Sequence, residues 1–532
     1  MTLSDTVTTP DSSTPLADSV LSAEMTRLLR SRVTSSGDSG VTVGTAPLDG
    51  SPLPAVPVSS IDDVEVAFRV ARRHFPSWSA TDVATRARVL LRFHDLVFAR
   101  RAEGLDIVQL ETGKARGHAA EELADVLITS RYYARTAAQV LKPSRRKGAI
   151  PLLTSTRVRH EPIGVIGVIS PWNYPLTLSI SDVLAALMAG NTIVLKPDVQ
   201  TMYTALWVVE LLFEAGLPEG VLNVVNGEGA EVGPLVTDRA DYVMFTGSTA
   251  VGRTVAARCG ERLIGCSMEL GGKNALIICE DADVERAAAI AAGASFANAG
   301  QLCISMERIY VVDAIYDDFV SALVRRTDSL NLKGGIGWGS DMGSLISARQ
   351  LARVQAHVDD AVAAGAKILA GGRARPDLGP YFYEPTVLTD VDHHMHICRN
   401  ETFGPVASVY RVASVEEAIS EANDTDYGLN GAVVTRSARR GKEIATRLKA
   451  GTINVNEGYG AAWASIDAPM GGYGLSGLGR RHGPEGLLKY TEYKTVSVQR
   501  LQGFARPDAV SDKVWGDGLI KSVALMKRLG MK

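Results

Sequence analysis

The chain has 532 residues, more than one typical domain, so two or three packed units with a sizeable core are expected. A hydrophobic fraction of 46% and a charged fraction of 22% are ordinary for a water-soluble globular protein. The net charge of −3 gives no electrostatic reason to expect nucleic acid as a partner, and five cysteines without a C-x-x-C pair set a disulfide framework aside in favour of free thiols.

The first residues, "MTLSDTVTTPDSSTPLADSV", are rich in Ser, Thr, Asp and Pro and contain neither a basic residue nor an apolar core. We expect a disordered leader over 1–26 and neither a secretory nor a transit peptide. The longest apolar runs are too short for a membrane span, so the expected location is the cytoplasm. Residues 61–145 carry apolar residues at helical spacing, opened by a possible Ser60 cap. Residues 155–162 alternate, which suggests a short exposed strand.

From 163 the rhythm changes. The runs "IGVIGVI" (163–169), "TIVLKP" (192–197), "VLNVV" (221–225) and "DYVMF" (241–245) are short and apolar, with helical stretches between them. That pattern predicts βαβ units and a doubly wound parallel sheet buried on both faces, with ligands at the carboxyl ends of its strands. A second α/β region begins near 272, marked by "ALIIC" (275–279), an alanine-rich helix over 281–299, "ERIYVVD" (307–313), "AKILAGG" (366–372) and "GAVVT" (431–435). The Pro/Gly-rich stretches 377–385 and 468–483 read as long loops of the kind that carry function.

Several stretches carry chemistry. "SPWNYP" brackets Asn173 with two prolines, either to aim its amide or simply to make a turn. Lys196 in "LKPD" ends the second strand, where it is a cation for a ribose or phosphate, or a solvated charge. "NGEGAEVG" (226–233) and "FTGSTAVG" (245–252) place small residues and Ser248 before a helix, a setting for an anion, though neither has the G-x-G-x-x-G spacing. In "MELGGKN", Glu269 precedes two glycines and is either a surface charge or a general base with a raised pKa. "SFANAGQLCIS" holds Cys303 with no histidine, second cysteine or charge beside it, so its helpers must come from elsewhere if it is a nucleophile. "ETFGP" adds Glu401 and Phe403, the latter a core residue or a ring against a cofactor. The cluster "DHHMHICR" (392–399) has no partner pair with zinc spacing, and no metal site is expected.

Taken in order, "PWNYP", "LKP", "FTGS", "MELGGKN", "NAGQLC", "ETFGP" and "GGYGLSG" resemble the aldehyde dehydrogenase superfamily from about residue 50 to 500. The resemblance implies a Rossmann-type cofactor domain (27–145 and 163–271), an α/β catalytic domain (272–486), a β-hairpin oligomerisation arm (146–162 and 487–502) and a C-terminal extension (503–532). It implies that Cys303 attacks an aldehyde as thiolate, that Asn173 and the Cys303 N–H hold the oxyanion, and that Glu269 activates water against the resulting thioester. Cofactor contacts are implied at Ile169, Ser170, Trp172, Lys196 (adenine ribose), Asp198, Val199, Gly229, Thr246, Gly247, Ser248 (pyrophosphate), Leu270, Glu401 (nicotinamide ribose) and Phe403. A homodimer or homotetramer is implied as well.

Departures from the family pattern matter. Val199 stands where NAD-preferring members often carry a glutamate that would repel a 2′-phosphate, so NADP is favoured with NAD retained, while Asp198 pulls the other way. Gly474 replaces a lysine in "GGYGLSG". The whole chain most resembles a branch named for succinate semialdehyde, yet the two arginines that bind a substrate carboxylate in better-studied members correspond here to Ala297 and Ser181, and Asp125 on the helix expected to line the tunnel is acidic. The substrate therefore stays open between succinate semialdehyde and a broad range of aldehydes. A coenzyme A-acylating member would lack Glu269, and a thiol hydrolase would need a histidine partner. The basic, roughly amphipathic stretch 512–532 is expected to cover a subunit surface in preference to a membrane.

Overall fold

The apolar runs of the first α/β region become strands Val165–Ile169, Thr192–Lys196, Leu222–Val224 and Tyr242–Thr246, nearly every residue of them buried. In this computed structural model they form a sheet with Gly265–Glu269 and Gly477–Leu478, and only the last of these runs antiparallel. The strand order reverses at Val165–Ile169, which pairs with Thr192–Lys196 on one side and Tyr242–Thr246 on the other. Side chains on such strands must be apolar because helices cover both faces. The structure describes residues 15–148, 154–500 and 505–530.

A second, seven-stranded sheet follows in the order Lys367–Ala370, Thr386–Thr389, Val406–Val412, Met306–Val312, Asn274–Ile278, Asn430–Val434, Thr452–Val455. It is parallel except at Lys367–Ala370, an antiparallel edge. Only Leu270–Lys273 separates the end of Glu269's strand in the first sheet from the start of the next strand in the second. The carboxyl edge of one sheet therefore meets the amino edge of the other.

Residues 61–145 form four helices, Ile61–Ala80, Val83–Ala99, Arg101–Thr112 and Arg116–Val140, before a short strand at Ser144–Lys147. Ser60 caps the first through a capping box with Asp63. Two of these helices end other helices' deficits. Glu111, wholly buried, accepts from Tyr203 N at 2.7 Å and Thr204 N at 2.6 Å, filling two unpaired donors at the start of Met202–Glu214.

The expectation of a disordered leader through residue 26 is corrected in its described part, while residues 1–14 lie outside the described residues. Leu16–Val20 and Ala23–Arg30 are helices, and Ser22 caps the second by accepting from Met25 N. Ala17, Leu21 and Leu29 are buried, and that apolar anchorage outweighs the polar composition that suggested disorder.

The chain separates into two compact units, Met1–Val140 with Pro162–Thr491, and Leu141–Glu161 with Glu492–Lys532. The second unit holds a three-stranded sheet in the order Thr491–Gln499, Thr154–Pro162, Ser144–Lys147. The antiparallel hairpin Ser144–Lys147/Thr154–Pro162 is the segment read as an arm, and its tip at 149–153 lies outside the described residues. The tail forms the helix Asp512–Arg528, capped by Ser511, with no buried residue.

Glu111→Leu leaves two buried N–H groups without acceptors and should cost about 3 kcal/mol. The check is denaturant unfolding of variant and wild type side by side. A change smaller than about 0.5 kcal/mol would show that the helix start is satisfied otherwise.

Candidate active site

Asn173 sits in the turn between Val165–Ile169 and the helix Pro175–Ala189, whose first residue is a proline with its φ already set for helix. The turn is held from below. Lys114 and Glu122 form an ion pair whose side chains are both wholly buried. Glu122 also accepts from Leu176 N at 2.8 Å and Thr177 N at 3.2 Å, where the helix dipole favours negative charge. Lys114 Nζ donates to the Asn173 carbonyl at 2.7 Å, and Asn298 Nδ2 donates to the same oxygen at 3.0 Å. With its backbone clamped, Asn173 points its amide at the cysteine loop and donates to the Gln301 carbonyl at 3.1 Å.

The helix Val284–Phe296 ends before this loop, and Asn298 and Ala299 take φ of 51° and 53°. Gly300 continues at φ 69°, and a side chain there would collide with the Gly404 carbonyl, so only glycine fits. The Cys303 carbonyl accepts from Asn274 Nδ2 at 2.8 Å. Cys303 borders a cavity of about 40 Å³ together with Asn173 and Tyr174. Burial, reinforced by the charges of Glu401 and Glu269, pushes the Cys303 thiol up to about 12, and the charge of Arg481 opposes them.

Glu269 ends its strand opposite Gly477 and Thr246 and is only 6% exposed. Its Oε1 has no hydrogen-bond partner among the described residues. Burial raises its pKa to about 7, against the pull of Arg481 and Lys489. Gly271 and Gly272 follow because a side chain at the first would strike the Glu401 carboxylate and one at the second would crowd the Cys303 carbonyl. Glu401, half-buried and raised to about 7 by burial first and Glu307 second, accepts from Gly272 N at 2.9 Å. The structure thus brings Asn173, Cys303, Glu269 and Glu401 to the junction of the two sheets.

The remaining residues singled out in the sequence lie along the carboxyl edge of the first sheet, at its order reversal. Ile169 and Ser170 close the first strand, with Ser170 Oγ bonded to Ser179 Oγ at 2.9 Å. Trp172 and Phe403 meet edge to face with centroids 5.5 Å apart, and Phe403 takes φ 56° while its N–H donates to Glu307 at 3.0 Å. Lys196 ends its strand as a buried cation whose pKa burial lowers, with Asp198 and Glu228 as charged neighbours. Its Nζ lies 3.9 Å from where a Gly229 Cβ would stand. Asp198 caps the turn Val199–Thr201, its carboxylate accepting from Gln200 N at 3.0 Å. Thr246 and Gly247 lead to Ser248, which caps Thr249–Glu261, and Leu270 packs where a Gly252 side chain would be. Two helix starts, at Gly229 and Thr249, and a buried lysine make a surface that fits a nucleotide's phosphates and ribose.

Other residues of the site were not assigned from sequence. Glu121 lines the cavity, accepts from the Tyr459 hydroxyl at 3.2 Å and is raised to about 7 by burial. Trp463 borders the same space. Arg481 forms a buried ion pair with Asp182, which also accepts from Lys489 Nζ at 2.9 Å and the Tyr490 hydroxyl at 3.0 Å. The only signal for Arg481 was its place in the long loop 468–483. Arg308 is structural, donating to the Lys273 carbonyl at 2.7 and 3.0 Å and to the Ala422 carbonyl at 3.0 Å. Asp125 and Ser181, both singled out for the substrate, bond to each other at 2.8 Å, and Ala297 is buried. Among the described residues no three His, Cys, Asp or Glu converge to hold a metal.

Comparison with known proteins places this geometry. Residues 34–496 match the model of the aldehyde dehydrogenase family. A Mycobacterium ulcerans protein named "Putative succinate-semialdehyde dehydrogenase [NADP(+)] 2" is 51% identical over 480 residues, 90% of this chain and 93% of its own. A Mycolicibacterium smegmatis protein named "Putative succinate-semialdehyde dehydrogenase [NADP(+)]" is 50% identical with the same coverage. Among solved structures, betaine aldehyde dehydrogenase of Staphylococcus aureus in complex with NAD+ superposes with a TM-score of 0.84 at 33% identity, covering 90% of this chain and 95% of that one. With a family match over most of its length and relatives at about half identity, the chain belongs to the aldehyde dehydrogenase family.

Proposed function

We propose that this protein oxidises succinate semialdehyde to succinate through a thioester on Cys303, with NADP as the preferred hydride acceptor and NAD as a second choice. The observation that carries the reading is that Asn173 and Cys303 border one cavity, with the Glu269 carboxyl near enough for its charge to act on the thiol. Cys303 releases its proton to solvent and its sulfur attacks the aldehyde carbon, while the Asn173 amide and the Cys303 N–H hold the oxygen that becomes negative. NADP, when bound, accepts the hydride, and Lys196, Ser248, Glu401 and Phe403 would hold it. Glu269 then takes a proton from water, the resulting hydroxide attacks the thioester, and the acid leaves as the Cys303 sulfur is released. Because Glu269 is present and buried, water and not coenzyme A is the acceptor of the acyl group.

Two features support NADP. Val199 offers no carboxylate to repel a 2′-phosphate, and the Asp198 carboxylate accepts from the Gln200 N–H and faces the Lys196 charge. Support for the substrate comes from the names of the mycobacterial relatives. A second reading, an aldehyde lacking a carboxylate, is favoured by Glu121 on the cavity wall and by Ala297 and Ser181 in place of arginines. The division into a cofactor domain (27–145, 163–271) and a catalytic domain (272–486) is supported by the two separate sheets, except that Gly477–Leu478 adds an edge strand to the first. A homodimer or homotetramer is supported by Tyr493, Val496 and Val498, exposed on an edge strand. A cytoplasmic location accords with five unpaired cysteines, and no helix among the described residues is long and apolar enough to cross a membrane.

NADPH and NADH formation with succinate semialdehyde, pentanal and benzaldehyde tests the reading. The kcat/KM for succinate semialdehyde should exceed that for pentanal by about tenfold or more, NADP should outperform NAD, and Val199→Glu should move the preference toward NAD. Equal or lower efficiency with succinate semialdehyde would favour the second reading. Glu269 must be ionised to accept a proton, and its pKa is raised, so kcat should fall as pH drops through about 7. Glu269→Gln should lower kcat by about 10²- to 10⁴-fold and abolish that limb. A wild-type profile flat across neutral pH would contradict the assignment.

A further inference from the structure

We infer that the substrate cavity carries a carboxylate-binding subsite built from Arg481, Tyr174 and His482, which does the work of the arginines missing at 297 and 181. The inference rests on the substrate reading above. All three residues border the cavity that Cys303 opens into. They are 9%, 6% and 4% exposed, so water cannot serve them freely. Each nonetheless carries a polar atom with no partner among the described residues: Arg481 Nε, Tyr174 Oη and His482 Nδ1. An unpaired buried donor costs about 1–3 kcal/mol, so three around one cavity are poised for a ligand. The Arg481 Nε–H can only donate, the tyrosine hydroxyl can donate, and the imidazole donates from Nδ1 in one tautomer. Burial keeps that imidazole neutral by lowering its pKa to about 3. Three such donors on residues that border one cavity suit a two-oxygen acceptor.

The charge count agrees. Asp182 is the anion shared by Arg481 and Lys489, two cations on one carboxylate, so these three groups together carry one net positive charge. Three nearby acids oppose an incoming anion: Asp125, which accepts from Ser181, Glu121, which accepts from Tyr459, and Glu269, which shares the charge of Arg481. The subsite is also rigid. Arg481 exchanges two backbone hydrogen bonds with Met470, at 2.7 and 2.8 Å. His482 is held at φ 62° and ψ 173°, a conformation that costs about 1–3 kcal/mol for a residue with a side chain and that clusters at binding sites. Tyr174 adjoins Asn173, so the wall that grips the carboxylate and the amide that grips the carbonyl oxygen share one short turn.

The test compares kcat/KM for succinate semialdehyde with that for pentanal, with NADP, in wild type, Tyr174→Phe and the charge-balanced pair Arg481→Met with Asp182→Asn. Tyr174→Phe removes one oxygen that has no partner and keeps the ring over Lys114, so the fold should be undisturbed. The ratio of the two efficiencies should fall several-fold in Tyr174→Phe and about tenfold or more in the double variant, through the KM for succinate semialdehyde. A ratio unchanged in Tyr174→Phe and in the double variant, or an equal loss with both aldehydes, would overturn the subsite while leaving the substrate reading intact. A wild type with no preference for succinate semialdehyde would overturn the substrate reading and the subsite together. Should the double variant fail to fold, the ratio in Tyr174→Phe decides.

Discussion

A buried ion pair, Lys273 with Glu307, is the interaction on which the site depends. Their side chains are 1% and 4% exposed. Taking two charges out of water is repaid only if the remaining lone pairs and protons find partners. Glu307 finds them in the N–H groups of Thr402, at 2.9 and 3.0 Å, and Phe403, at 3.0 Å. Three segments distant in sequence are thereby fixed to one another: the Glu269–Lys273 loop, the strand that follows Cys303, and the Glu401–Phe403 turn. Lys114 and Glu122 apply the same solution to Asn173, with Glu122 filling the N–H groups that start its helix. In both places a cation–carboxylate pair spends its spare acceptors on the backbone of a site segment.

Close approach does the rest. Gly271, Gly272 and Gly300 let the Glu401 carboxylate, the Cys303 carbonyl and the Gly404 carbonyl come nearer than a side chain would permit. The same crowding explains the electrostatics. Burial raises Cys303, Glu269, Glu401 and Glu121 together, so the junction is a pocket of acids short of solvent. A thiol raised in this way stays protonated at rest and is protected until its proton is released. Arg481 is the counter-charge that Cys303, Glu269, Asp125 and Asp182 all feel, which gives one loop residue influence over both the chemistry and the far wall of the cavity.

Legibility followed local pattern. The four apolar runs of the first sheet were readable because burial on both faces demands continuous hydrophobicity, and each strand lies within about a residue of its run. The strand Gly265–Glu269, "GCSME", has no such run and forms because its neighbours supply the ladder. The residues that the resemblance implies for the cofactor lie at the carboxyl ends of strands in the first sheet, whereas in the second sheet Cys303 and Glu401 precede strands Met306–Val312 and Val406–Val412. No local signal announces that two sheets will be joined edge to edge by a four-residue link. Arg481, Glu121 and the two buried ion pairs were invisible for a related reason: a charge looks solvated until the fold supplies its partner. The leader misled in the opposite sense, since its few apolar residues are the ones that anchor it.

The central claim is that Cys303 carries the acyl group and Glu269 removes it, and it is tested most directly by mass spectrometry of Glu269→Gln after reaction with succinate semialdehyde and NADP. The account predicts one acyl group per chain, located on the peptide containing Cys303, formed with one equivalent of NADPH. NADPH formation with no acyl group on Cys303, or with the acyl group on another residue, would contradict it.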